Sequence, residues 1–223
     1  RLLTRRMARM PETNKRTLKS QLTAEVMGAL IQRPDLRVVK VADGAPDNWS
    51  YLSEVLPVGQ EVLDFYHAAE HLGAALGAAY GEGTSKYQER LETLSAVLRD
   101  APEGVDTVMG ALGRLRTRYP RRQAIHKALA YFREHRHRMR YRDLRAQNLP
   151  IGSGVVEAAC KTLVSQRLKR SGMRWRTAGG QAILTFRALC QSERFERAWS
   201  LLSETYKRSV TLPRKVIAFT KRR

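Results

Sequence analysis

The sequence predicts an α/β protein in which helix dominates. Over the first eighty residues, short β-branched runs alternate with helical periodicity in the order β, α, β, α. After Gly83 the helical stretches follow one another with no strand signal between them. With 223 residues, 43% of them hydrophobic, the chain can bury a core in one large domain or in one domain with an insertion.

Taken in order, residues 2–9 carry only a weak strand pattern. "NKRTLKSQLTAEVMGALIQRP" spaces Leu18, Leu22, Val26, Leu30 and Ile31 as a helix does, and Pro34 ends the run. "LRVVKVAD" is a short β-branched run closed by Asp-Gly, which predicts a buried strand. "PDNWSYLSEVL" predicts a brief helix, "GQEVLDFYH" a second strand, and "AAEHLGAALGAAYG" a small-residue helix able to pack closely. Helices are expected at about 84–100, 105–118 and 121–146, with "APEGVD" and "NLPIGSG" as punctuation. Core-like helix returns at 154–170 and again at 178–206, before a basic tail. The expected divisions are therefore 1–80, a helical insertion at 81–149, returning core helices at 150–206, and a tail at 207–223.

Charge narrows the partners. Formal net charge is +20, from 41 Lys and Arg against 21 acids, and such an imbalance repels itself unless a polyanion offsets it. Between Arg114 and Arg145 alone, twelve basic residues face two acids, Glu134 and Asp143. Ile125, Ala128, Leu129, Phe132 and Met139 keep an apolar stripe there, so the segment reads as packed helix with basic outer faces. Arg114, Arg118, Arg121, Arg136 and Arg140 are the candidate phosphate contacts. "QRLKRSGMRWRT" adds Arg167, Lys169, Arg170, Arg174 and Arg176 around Trp175, which could stack on a base but is rather expected in the core. No apolar run is long enough to cross a bilayer, and no lipid-facing amphipathic stretch accompanies the basic residues. Cys160 and Cys190 lie on apolar helical stripes outside any CxxC, and are expected as buried thiols in a reducing compartment.

Four acids and two histidines are weighed for chemistry. Asp43 closes a predicted strand just before Gly44, where α/β sheets hold ligands, although an Asp-Gly turn needs no chemistry. Asp47 is expected as a helix N-cap or first-turn acid. Glu157 starts a helix after the "IGSG" turn and could serve only the helix dipole and a pair with Lys161. His67, Glu70 and His71 match H-x-x-E-H, a zinc-peptidase spacing, which makes a zinc metallopeptidase one alternative. A DNA-binding module without catalysis is the other.

The stretches "VVKVADGAPDNW", "VLDFYHAAEHL" and "IGSGVVEAACKTLVSQRLKRSGMRW", in this order, resemble the DDE transposases of bacterial insertion sequences, most closely the ISKra type. The resemblance covers the first eighty residues and roughly 148–200, with the helical insertion between. It implies a ribonuclease-H-like core whose carboxylates hold Mg²⁺ or Mn²⁺ for DNA strand cleavage and strand transfer. Asp43 matches the second acid of that family and Glu157 the third, as catalytic metal ligands, while Asp64 and His67 match a supporting D-x-x-H. Double-stranded DNA is then the partner, a homodimer an assembly the family allows, and a nucleoid-associated bacterial cytoplasm the setting, with no membrane. Nothing before Asp43 matches the first acid, and "RLLTRRMARM" opens without Met or an apolar leader. The expectation is a piece lacking its first strand or strands and one ligand, inactive alone.

Overall fold

A computed structural model of the chain describes residues 4–169 and 171–209. Helix dominates it. Strand β1 (Val39–Ala42) and strand β2 (Gln60–Leu63) form a two-stranded parallel sheet, with Val39 opposite Gln60 and Ala42 opposite Leu63. Parallel neighbours need a crossover, and helix α2 (Pro46–Glu54) supplies it, opening with Pro46 in the first helical turn, where its missing N–H costs nothing. Gly59 lets β2 start against β1, because a Cβ there would stand 2.8 Å from the Val38 Cβ.

Contacts divide the chain into two compact units, residues 19–157 and residues 1–18 with 158–223. In the larger unit, α3 (Phe65–Tyr80) is the central element. Its Ala68, Leu72, Ala75 and Leu76 are fully buried, and the small residues among them let neighbouring helices approach closely. Helices α4 (Ser85–Asp100) and α6 (Gln123–Glu134) pack against α3, and α5 (Gly104–Arg118) packs against both. Short α7 (Tyr141–Ala146) closes onto α4. Val62, Leu63, Leu98, Leu112, Ile125 and Phe132 fill the space between, each contributing about 1.5–3 kcal/mol by leaving water. Beneath the sheet, the Lys40 ammonium is buried and donates to the carbonyls of Leu52 (2.6 Å) and Leu56 (3.4 Å).

The second unit gathers a π turn at Lys161–Ser165, α9 (Gln166–Leu168), α10 (Thr177–Gln191) and α11 (Phe195–Ser209). These follow α8 (Gly154–Cys160), whose first residues belong to the larger unit. Residues 4–9 form no strand. They run irregularly along α10, where side chains replace a sheet ladder: Ser192 Oγ accepts from the Arg6 amide (2.9 Å) and Gln181 Oε1 from the Met10 amide (2.9 Å).

Local sequence misleads at three further places. The second strand ends at Leu63 rather than His67, because Asp64 caps α3 and turns Phe65, Tyr66 and His67 into helix. The predicted helix over 121–146 breaks after Glu134 into a 3₁₀ turn (Arg136–Arg138) and α7, so that His135 and Met139 can both turn inward. Helix α1 (Arg16–Gln32) forms where its spacing predicts, although it buries no residue and Ile31 remains 80% exposed. Both cysteines are exposed rather than buried, since α8 and α10 turn those positions outward. The basic tail from residue 210 lies outside the described residues.

Candidate metal and nucleic-acid site

Asp43 and Asp64 each follow the last residue of a strand, and those last residues, Ala42 and Leu63, are opposite one another in register. The two carboxylates therefore leave the sheet side by side at its carboxyl end, where open α/β sheets bind ligands. The Asp64 amide extends the ladder by one bond, donating to the Ala42 carbonyl at 2.8 Å.

Identical residues at equivalent strand ends meet different fates. Asp64 is fully buried and consumed. Its Oδ1 accepts from the Tyr66 amide at 2.8 Å, capping α3. Its Oδ2 accepts from the Ser153 amide at 3.0 Å and from the Ser153 hydroxyl. Asp43 is only partly buried, and its Oδ1 accepts from the Ala45 amide (3.2 Å) and from Asn48 Nδ2 (2.8 Å). The second oxygen of Asp43 accepts no hydrogen bond among the described residues, so one carboxylate oxygen stands available.

The Asp64 bonds reach on to Glu157. The Phe65 amide donates to the Ile151 carbonyl (2.9 Å), fixing the "IGSG" turn from its other side. Gly152 fits where a Cβ would stand 2.9 Å from the Tyr66 ring. The Ser153 carbonyl then accepts from the amides of Val156 (2.7 Å) and Glu157 (3.0 Å), starting α8. Backbone and carboxylate bonds thus run unbroken from the end of β1, through Asp64 and Ser153, to the amide of Glu157. The Glu157 side chain is exposed and makes no ion pair among the described residues.

Above the Asp43–Gly44 turn lies Tyr131 of α6. A Cβ at Gly44 would fall 2.7 Å from its hydroxyl oxygen, so only glycine lets the ring sit there. His71 stacks on that ring at 3.7 Å between centroids, and His135 meets it edge-on at 4.8 Å. Burial pushes the Tyr131 phenol up to about 12, with the charges of Asp43 and Asp64 adding to the rise and the Gly44 amide opposing it. Burial likewise holds His71 and His135 below the ordinary histidine range. His67 Nδ1 pairs with Glu70 Oε2 at 3.1 Å, so the H-x-x-E-H residues point to two different partners. Among the described residues, no group of three or more His, Cys, Asp or Glu converges as a metal site would.

The basic candidates separate by pairing. Arg114, Arg118 and Arg121 are exposed and form no ion pair among the described residues, although Arg118 lies 5.5 Å over the Tyr119 ring. Arg136 is held by Asp106 at 2.7 Å and Arg140 by Asp143 at 3.4 Å, which offsets their charge. Two more arginines in the same stretch are also compensated: Arg138 by Glu61 at 2.8 Å, over the Trp49 face, and Arg145 by Asp100. In the second unit Arg167, Lys169, Arg174 and Arg176 are exposed, while Arg170 lies outside the described residues. Trp175 is 36% exposed rather than a core residue.

Sequence reading passed over Tyr131 and Ser153. The only local signal for Ser153 was its place in the glycine turn; Tyr131 had none, because it meets residue 44 through tertiary packing alone. Comparison of the chain with family models, with curated protein sequences and with solved structures finds no match. No helix among the described residues is long and apolar enough to cross a membrane.

Proposed function

We propose that the protein is a DDE-type transposase, a polynucleotidyl transferase that cleaves and joins DNA strands with the help of divalent metal. The observation that carries this reading is the hydrogen-bonded path linking the strand end at Asp43 to the helix start at Glu157. It supports a rigid relation between two acids some hundred residues apart in sequence. A ribonuclease-H-like arrangement of the sheet belongs to the same proposal.

Two carboxylates of the kind a hard cation takes support the reading: among the described residues, Asp43 keeps one oxygen that accepts no hydrogen bond and Glu157 makes no ion pair. Asp43 and Glu157 would hold Mg²⁺ or Mn²⁺, which would activate the attacking oxygen and stabilise the leaving one in an in-line displacement. Asp64 has no oxygen to spare and serves the scaffold. His67, partly buried, is paired to Glu70. The exposed arginines would hold the duplex by its phosphates, independent of sequence.

The test uses the protein as its gene encodes it, incubated with supercoiled plasmid and Mg²⁺ or Mn²⁺. Nicking and strand joining that vanish in both Asp43→Asn and Glu157→Gln support the reading. Tight plasmid binding with no metal-dependent nicking under any condition makes it a DNA-binding module instead. Stoichiometric zinc lost on His67→Ala would favour the peptidase.

A further inference from the structure

Helix α11 divides its side chains sharply by character. At helical spacing Phe195, Trp199, Leu202 and Tyr206 share one stripe, while Arg197, Ser200 and Glu204 fall on the opposite face. None of residues 195–206 is buried. Trp199 is 58% exposed, Leu202 48% and Tyr206 63%. Phe195 ties the stripe to α10, its ring meeting Phe186 edge-on at 5.2 Å and stacking with Trp199 at 6.1 Å. Phe186 and Leu201, at the margins, are exposed as well. A helix of 15 residues that buries so little of itself is marginal in water, and its apolar stripe calls for a cover.

We propose that α11 pairs antiparallel with α11 of a second copy of this chain, with Phe195 against Tyr206 of the partner subunit and Trp199 against Leu202 of the partner subunit. The stripe advances by four, three and four residues, which is the spacing of a coiled-coil seam. A two-fold axis midway between residues 200 and 201 makes the stripe complementary to itself and sets a large ring against a leucine at its centre. Area agrees with this. An aromatic side chain can bury about 150–250 Å², so Phe186, Trp199, Leu201, Leu202 and Tyr206 together offer roughly 500 Å² per copy. Two copies then reach the roughly 1,000 Å² that a specific interface needs. Charge agrees too. Each chain carries +20, yet the seam carries none, and Ala198, Ser203 and Thr205 beside it are small and neutral. Glu196 would face Ser203 of the partner subunit, so no like charges meet. A membrane-surface helix or a phosphate contact would carry a strongly basic face, whereas Phe195–Ser209 sets two acids against three bases.

Sedimentation velocity of the full encoded protein, in EDTA and without DNA, reads the pairing separately from metal-dependent strand cleavage. Wild type should pass from monomer to dimer as concentration rises. The dimer should tighten between about 0.15 M and about 1 M salt, because screening removes the repulsion between the two chains and spares the apolar contact. Trp199→Ala and Leu202→Ala should each weaken dimerisation by about a hundredfold, since the two-fold axis repeats every loss. Ser200→Ala, on the opposite face, should dimerise as wild type does. Orientation is read by charge. Ala198→Glu combined with Thr205→Glu should weaken the dimer by about tenfold, and Ala198→Lys combined with Thr205→Glu should recover it, because these positions meet only in antiparallel pairing.

A wild type that stays monomeric at every concentration and salt overturns the proposal, whatever else the face binds, and leaves the metal-site reading to the nicking assay. A dimer that survives both Trp199→Ala and Leu202→Ala uses another surface, which overturns it equally. Failure of the opposite-charge pair to recover dimerisation overturns the antiparallel pairing. Should either alanine variant lose helix by circular dichroism, Trp199→Gln and Leu202→Gln take its place, since glutamine favours helix. A folded glutamine variant with the wild-type dimer overturns the proposal.

Discussion

The Asp64 carboxylate holds Ser153 by both its amide and its hydroxyl, joining residues 89 positions apart in the centre of the larger unit. Because the same carboxylate caps α3, one buried side chain fixes two helix starts. Buried carboxylates are tolerated when their lone pairs are filled in this way.

Removing that acceptor strands several donors at once. Asp64→Ala should lower the unfolding free energy by about 2–4 kcal/mol, the cost of leaving buried donors without a charged partner. Ser153→Ala removes one hydroxyl donor but keeps the amide bond, and should cost about 1 kcal/mol. Urea unfolding should show the pair to be non-additive, since both changes break one bond. Additive losses, or an Asp64→Ala midpoint equal to wild type, would mean the carboxylate is not holding the turn.

Gly44 tests the packing of Tyr131 in a different way. An added methyl cannot coexist with the ring in its present place, so Gly44→Ala should destabilise by about 1–3 kcal/mol through overpacking. In a Tyr131→Ala background the same change should cost much less, because the ring it strikes is gone. Thermal unfolding of the four-member cycle measures the difference; equal costs in both backgrounds would show that the ring is not seated over Gly44.

What the sequence predicts well is what local chemistry decides. β1, helices α4 and α5 and the strand-end place of Asp43 all follow from periodicity, β-branching and turn residues. Asp64 misleads because "GQEVLDFYH" keeps an apolar, aromatic run through the point where the carboxylate turns inward and begins a helix. The break after Glu134 is hidden for the same kind of reason: nothing between Arg133 and Arg140 is a poor helix former, and the inward turn of His135 and Met139 is set by what they pack against. Tyr131 over Gly44 and the outward cysteines depend wholly on tertiary placement. Pairing of Arg136 and Arg140 with acids is likewise invisible in a charge count.

Stability should fall on mild acidification. Burial depresses both His71 and His135 in the folded chain, with nearby positive groups (Arg138 beside His135) acting in the same sense. The unfolded chain, with histidine near 6.5, then binds more protons than the folded one, so stability is complete above about pH 6.5 and declines as pH drops through that value. The decline ends once the folded-state values are passed. Melting temperatures in matched ionic strength from pH 8 to 5.5 should fall, and His71→Phe, which retains an aromatic ring against Tyr131, should flatten the curve. A profile that is level, or that rises toward acid, contradicts the assignment.

DNA affinity should depend steeply on salt, with each phosphate contact adding about −0.9 to the slope of log K against log salt. Ala substitutions at Arg114, Arg118 and Arg121 should each reduce that slope by about one if the residue meets a phosphate. Arg136→Ala should change it less, because Asp106 already offsets that charge. Anisotropy titrations across a salt series decide between them. A slope near zero removes the polyelectrolyte reading, and equal effects at Arg114 and Arg136 would show that pairing in the free protein does not matter to binding.

The two proposed metal ligands separate catalysis from folding because they are not structural residues of the same kind. Glu157 is exposed and makes no ion pair among the described residues, so Glu157→Gln should leave the melting temperature within a degree or so of wild type, as surface changes do. Glutamine keeps the volume and one acceptor oxygen but removes the charge that a hard cation needs, so Mg²⁺-dependent strand cleavage should disappear. Metal-free DNA affinity should hold or rise slightly, since a negative charge has left the phosphate-facing surface. Asp43→Asn should abolish cleavage too, with a modest stability loss, because asparagine can still accept from Ala45 and Asn48 through one oxygen. Asp47 is the control. It lies in the first turn of α2 rather than at its cap, which is Ala45, and pairs with Lys19 at 2.5 Å with its side chain half exposed. Asp47→Asn should therefore cost no more than about 1 kcal/mol and leave cleavage intact. If Glu157→Gln cleaves at the wild-type rate, Glu157 is not the third ligand; if it unfolds the protein, the start of α8 is a structural element and the acid belongs to it.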